Sequence, residues 1–478
     1  MATAKANACF TLTIGTGDDA VEYRIHEGDT VTDLAYRRGQ DDYTVSGTVR
    51  VINASVQQSN YQQTCPPESY FHRLATINSV IIDCSEKYDA DLVTVTISEI
   101  TGVGSVTEGG DDGDGGDEDA SITVGPGVPY QSLDTIINGV DAGSTIKLEP
   151  GTYTPNLTIS KAMKIIGQEG VTLTGSISID AGDGALVTLQ DLAIAPATVA
   201  AASAAVDVKS GDLEMTGSTI NTKTSGEEAC GIRKDSVASG KKSTITLTDC
   251  AISINEDGTG SGFAYPIALG RFDTSASIGT YDMEDCDLTL TNCTITGNVA
   301  AGQTYGIYSA SRGIVNINID DCTMSAWAAV YMNRNGQTET NGNFQSSFAG
   351  GSITVNNSTL TGIQNYAASG SVESDVNDFA PLVVQNSQNT KIAVTNSTVA
   401  AKNSPTTEDK TFAPMHLVSI SATKGVTLDV SNCTLTIENP VVAKAIIADT
   451  DTQVNLSDNT FTAVDAAGKP IESECVLY

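Results

Sequence analysis

Carboxylates are the most abundant reactive groups in this 478-residue chain: 58 Asp and Glu stand against 25 Lys and Arg and three His, for a net charge of −33. Two clusters suggest acid–base work, Asp320–Asp321 in "NINIDDCTM" and Asp282, Glu284 and Asp285 in "DMEDCD". Hydrolysis of a glycosidic bond needs two carboxyl groups converging within about 5–9.5 Å. Adjacent residues on a strand point to opposite faces, so both clusters read as solvated turns. The ten Cys form no CxxC pair, which argues against zinc and for reduced, buried thiols. The run "TEGGDDGDGGDED" holds Asp111, Asp112, Asp114 and Asp117 but lacks the grammar of a calcium loop. It reads as a solvated linker. No catalytic residue, cofactor or metal is therefore assigned.

The Cys residues carry a different signal. "DLTLTNCTITGN" places Cys293 in a phrase that returns as "STITLTDCAISI", "IVNINIDDCTMSA" and "VTLDVSNCTLTI", and with Ser in "SITVNNSTLTG" and "KIAVTNSTVAA". The small residue falls at Leu192, Ser218, Cys250, Cys293, Cys322, Ser358, Ser397, Cys433 and Asn459, with gaps of 26, 32, 43, 29, 36, 39, 36 and 26. A constant phrase with variable spacing marks a solenoid whose coils carry inserted loops. Alternation turns Leu288, Leu290, Cys293 and Ile295 inward and Thr289, Thr294 and Thr296 outward, with a bend at Thr291–Asn292. The thiol is then a packing residue at a tight corner.

Three zones position these phrases. Residues 1–100 show period-two runs such as "ACFTLTIG" and "YTVSGTVRVINASVQ" and read as a small β domain. Residues 101–120 are the acidic Gly-rich linker. Residues 121–478 are the solenoid, so the fold class is all-β. An acidic surface of this size excludes nucleic acid and anionic membrane as partners. No apolar run is long enough to span a bilayer, and the first residues lack a secretory h-region.

At 130–182, "PYQSLDTIINGVDAGSTIKLEPGTYTPNLTISKAMKIIGQEGVTLTG" resembles the opening of right-handed parallel β-helix proteins of the pectate-lyase-like superfamily. The resemblance implies a capping helix at Ser132–Ile137, a first coil at Gly143–Tyr153 and further strands at Leu157–Gly167. It leaves activity open, because this fold hosts lyases, hydrolases, esterases and adhesins. His26, His72 and His416 lie in no Gly-His-Gly, and after residue 120 the arginines are only Arg233, Arg271, Arg312 and Arg334. The enzyme sets of the superfamily are incomplete, and the expectation is a non-enzyme.

The long gaps between corners hold most aromatics of the solenoid. Phe263, Tyr265, Tyr281, Tyr305, Tyr308, Trp327 and Tyr331, with Arg312 and Arg334, form a candidate surface for glycan or protein recognition, or else pin the loops down. The domain order is similar to that of bacteriophage head fibres, capsid decorations and tailspikes. That likeness implies a homotrimeric structural appendage on the virion surface. The N-terminal domain would dock on capsid or tail proteins, with Arg37, Arg38 and Arg50 as candidate anchors, and the β-helix would meet a host glycan or protein. A bacterial surface adhesin and a polysaccharide lyase or hydrolase of tailspike type are the alternatives.

Overall fold

The computed structural model describes the backbone of eight strands between residues 9 and 101. Beyond them it describes residues 121–124, 131–154, 156–224, 228–234, 242–256, 264–270, 285–297, 304–337, 343–364, 380–403, 415–440 and 442–478. The chain divides into two compact units, Met1–Pro155 and Asn156–Tyr478.

The first unit begins with two four-stranded antiparallel sheets. In one, Cys9–Ile14 pairs with Val21–His26 and Val93–Thr101; in the other, Thr30–Arg38 pairs with Asp41–Val51. The expected helix forms at Gln131–Gly139 and buries Leu133, Ile136 and Ile137, three apolar positions on one face. The Tyr153 hydroxyl donates to the carbonyls of Val124 and Glu149, both at 2.8 Å, tying the strand Gly151–Tyr153 back to Ser121–Val124.

The second unit is a right-handed parallel β-helix, a solenoid of three parallel sheets visited in rotation. The first sheet contains Lys242–Thr248, Asp285–Thr291, Val315–Asp320 and Ser352–Asn356. The second contains Thr294–Gly297, Thr323–Ala326 and Thr359–Gln364, and the third Ala264–Leu269, Tyr305–Ser309 and Ala328–Asn333. Register is kept from coil to coil, so identical positions stack about 4.8 Å apart. Leu247 pairs with Leu290, Leu290 with Ile319, and Ile319 with Val355, and all four are buried. Each such aliphatic side chain contributes about 1.5–3 kcal/mol by leaving water.

The corner between the first and second sheets is the bend foreseen in the recurring phrase. Asp191, Asp249, Asn292, Asp321, Asn357, Asn396, Asn432 and Asp458 all adopt left-handed backbone, with φ between 47° and 55°. Asn and Asp tolerate this region better than other side chains, and Gly tolerates it best, which explains why the position before the small residue is Asn or Asp at eight corners and Gly217 at the ninth. The small residue then turns inward: Leu192, Ser218, Cys250, Cys293, Cys322, Ser358, Ser397 and Cys433 are all buried, and Asn459 is half-buried.

These buried polar atoms form a hydrogen-bonded ladder. The Leu192 N–H donates to Ser218 Oγ at 3.1 Å, Cys322 N–H to Ser358 Oγ at 3.0 Å, Ser358 N–H to Ser397 Oγ at 3.1 Å and Cys433 N–H to Asn459 Oδ1 at 2.9 Å. Most of these side chains also donate to the carbonyl two residues earlier, Cys322 Sγ to Asp320 O at 3.1 Å and Ser397 Oγ to Thr395 O at 2.6 Å. After the first corner, where Leu192 stands, the corner takes a side chain that both donates and accepts, as Cys, Ser and Asn do. Cys250, Cys293, Cys322, Cys433 and Cys475 are free thiols, and they are buried, as are Cys230 and Cys286.

Candidate functional site

The outward face of the first sheet is polar over many coils. Register places Asp212, Thr244, Asp287, Asn316, Ser352 and Lys391 in one column. From the neighbouring column, Lys242 Nζ meets Asp287 Oδ2 at 2.6 Å. Asn316 Nδ2 donates to Asp287 Oδ1 at 2.8 Å, and Ser352 Oγ donates to Asn316 Oδ1 at 2.8 Å. A charged pair thus continues into an amide and a hydroxyl across four coils. Asp285 lies on the same face as Asp287, two residues away and so roughly 7 Å along the strand. Its Oδ1 accepts the Ile314 N–H at 2.7 Å.

Charge states follow from these contacts. Burial pushes the Asp287 carboxyl up, but the hydrogen bonds from Lys242 and Asn316 and the Lys242 charge outweigh it and hold Asp287 below its ordinary range. The hydrogen bond to Asp287, then its charge, raises Lys242 above the ordinary lysine value. At neutral pH the pair is an ionised carboxylate beside an ammonium whose side chain is 60% exposed. Such a pair accepts hydrogen bonds from sugar hydroxyls and neutralises an acidic group. Among the described residues no group of three or more His, Cys, Asp or Glu is arranged to hold a metal ion.

Asp320 ends its strand, where Asn356 Nδ2 donates to its Oδ1 at 2.8 Å, while Asp321 occupies the left-handed corner. The two residues thus take different positions, one on the strand and one at the bend. Asp282 and Glu284 lie outside the described residues.

The aromatic zone is placed differently from its loop-like appearance in the sequence. Tyr265, Tyr305, Tyr308 and Tyr331 sit on strands of the third sheet, and Trp327 directly precedes one. The rings stack on one another: Tyr265 and Tyr308 lie 4.9 Å apart between centroids, Tyr305 and Tyr331 4.9 Å, and Tyr305 and Trp327 5.3 Å edge-on. Tyr265, Tyr305, Trp327 and Tyr331 are buried and Tyr308 is half-buried, forming one apolar cluster with Ala268, Ala328 and Val383. Tyr331 donates to Gln385 Oε1 at 2.6 Å. Burial pushes the Tyr265 hydroxyl far above the ordinary tyrosine value. Arg312 is buried, and Arg334 is half-buried with left-handed backbone, φ 67°. Phe263 and Tyr281 lie outside the described residues. Arg37 and Arg38 fall on Thr30–Arg38 and Arg50 on Asp41–Val51, and their side chains lie outside what the structure describes.

Comparison with known proteins brings no family-model match and no match to a curated protein. Solved structures do match, all at low identity. The catalytic unit of a GH87 α-1,3-glucanase from Streptomyces thermodiastaticus is 14% identical with a TM-score of 0.30, covering 98% of this chain and 90% of that one. A pectate lyase is 12% identical with a TM-score of 0.28, covering 63% and 79%. The pectin methylesterase from Aspergillus niger is 14% identical with a TM-score of 0.25, covering 74% and 91%. Each of the three is an enzyme, against the expectation of a non-enzyme, which is not kept. None of their activities is assigned to it.

Proposed function

We propose that the β-helix is a polysaccharide-directed rod that binds and cleaves a sugar chain laid along the outward face of the first sheet, in the manner of a tailspike-type depolymerase. The observation that supports this reading is the linked row Lys242–Asp287–Asn316–Ser352. A sugar chain presents hydroxyls at regular steps, and coils about 4.8 Å apart offer donors and acceptors at a matching scale. Asp285 and Asp287 are two carboxylates on that face two residues apart, and Lys242 supplies positive charge beside them. The setting we infer is a virion surface. The two antiparallel sheets of the first unit suit a docking foot.

The experiment is incubation with a panel of bacterial capsular and exopolysaccharides. Chain length, new reducing ends and unsaturated uronate absorbance would be read for the parent chain, D287N and K242Q. Shortening of at least one polysaccharide, lost in D287N, is expected. No binding and no shortening across the panel would sink the reading.

A further inference from the structure

At the end of the solenoid, the chain that follows the last coil pairs with part of the edge of two of the three sheets. Val464 bridges Pro470 and the Ile471 N–H donates to Ala463 O at 3.0 Å, covering the C-terminal end of the second sheet's last strand. The Val476 N–H donates to Ala443 O at 3.0 Å and the Ile446 N–H to Leu477 O at 2.8 Å, covering the start of the third sheet's last strand. The first sheet ends on Gln453–Ser457, and among the described residues no strand pairs with its outer edge.

The chemistry of that edge is specific. Gln453 N–H donates to Val426 O at 2.9 Å and Ser457 O accepts from Asn432 N at 3.1 Å, so these residues face the preceding coil. By alternation Asn455 faces it as well, and the N–H and C=O groups of Val454 and Leu456 point to the open side. The inward side chains of Val454 and Leu456 are half-buried, although their partners one coil back, Leu428 and Val430, are 0% and 2% exposed. The strand "QVNLS" contains no charge and no Pro, the usual guards of an exposed edge.

We propose that this strand joins two copies of the chain, antiparallel about a two-fold axis at Asn455. In that register Val454 faces the second copy's Leu456 as a hydrogen-bonded pair, and Leu456 faces its Val454. The four open backbone groups on each copy are then paired, and the half-buried aliphatics cover one another. On the outer side Asn455 meets Asn455, and Gln453 meets Ser457. Asp458 falls opposite Thr452 and Asp451 opposite Asn459, so no like charges meet head on. A strand that is complementary to itself in one antiparallel register fits a second copy of this chain, because an isologous contact places the same patch on both partners. The proposal is independent of the polysaccharide reading.

The test is the mass in solution of the full chain and of two variants. Light scattering should give twice 49.5 kDa for the parent chain. Asn455 is a non-hydrogen-bonded pair at the axis, where Cα atoms about 4.5 Å apart suit a disulfide. In N455C, oxidised glutathione should therefore link two copies, the two thiols losing their protons and electrons as glutathione is reduced. N455K keeps a favourable contact within its own chain, since Asn455 Nδ2 already donates to Asp429 Oδ1 at 2.7 Å, but sets two ammonium groups face to face. It should weaken the dimer at least tenfold, with recovery in high salt and an unchanged thermal melt. A single 49.5 kDa species at the highest soluble concentration overturns the proposal. So does a trimer, or a dimer that neither N455K weakens nor N455C links.

Discussion

The backbone N–H of Cys293 donates to the Sγ of Cys322, one coil further along the helix, at 3.3 Å. The Cys293 thiol in turn donates to the carbonyls of Thr291 at 3.3 Å and Leu247 at 3.4 Å. A thiol that looks spare in the sequence is thus one rung of the corner ladder. Cys322→Val preserves shape and removes the acceptor, leaving the buried Cys293 N–H unpaired. We expect a loss of about 1–3 kcal/mol by chemical denaturation. Cys322→Ser keeps the acceptor and should lose less than Cys322→Val. Equal losses for the two would remove the ladder as the reason for the residue.

The same column predicts an alkaline dependence. The hydrogen bond with Cys250, with burial adding to it, pushes the Cys293 thiol from its ordinary 9.0 up to about 11. The unfolded chain therefore gives up this proton first. The stabilisation is fully present below pH 9.0 and is lost as pH rises to about 11. Denaturation midpoints should fall across that window, and less so in Cys293→Ser.

His416 predicts the opposite slope on the acid side. Burial holds its pKa below the ordinary 6.5, and the backbone hydrogen bond to Lys444 opposes this only in part. Neutral His416 donates from Nδ1 to Lys444 O at 2.8 Å. Its stabilisation is present above pH 6.5 and falls as the pH drops below it, because the unfolded imidazole takes the proton first. Stability measured between neutral and mildly acidic pH should fall less steeply in His416→Gln.

At the corner itself, Asn292 holds φ 52° and donates to Asp249 Oδ1. Asn292→Gly keeps the backbone free and should cost little. Asn292→Ala should cost about 1–2 kcal/mol, the penalty of left-handed backbone for an ordinary residue. Thermal melts of the two variants decide it.

Inside the lumen, Ile295 is 0% exposed. Ile295→Val should cost about 0.5–1.5 kcal/mol. Ile295→Asp would bury an unpaired charge and should cost more than about 4 kcal/mol, or prevent folding. A soluble Ile295→Asp protein with an unchanged melt would contradict the stacking.

The solenoid was legible in the sequence because its signal is local and repeated. Leu288, Leu290, Cys293 and Ile295 alternate within one phrase, and the Asn or Asp before the small residue marks the left-handed corner. What lies between phrases was not legible. Lys242 and Asp287 are separated by the long coil insert that holds 257–263 and 271–284, and only coil register brings them to 2.6 Å. The aromatic zone looked like loops because the strands Ala264–Leu269 and Ala328–Asn333 are buried at every position and so carry no polar–apolar alternation. The open edge at Gln453–Ser457 needed the tertiary structure for a similar reason. The strand has an ordinary pattern, and only the path of residues 465–478, which meets the other two edges, shows that no described residue pairs with this one. Periodicity along one strand is determined by neighbours two residues apart, whereas contact across coils depends on loop lengths that no local pattern encodes.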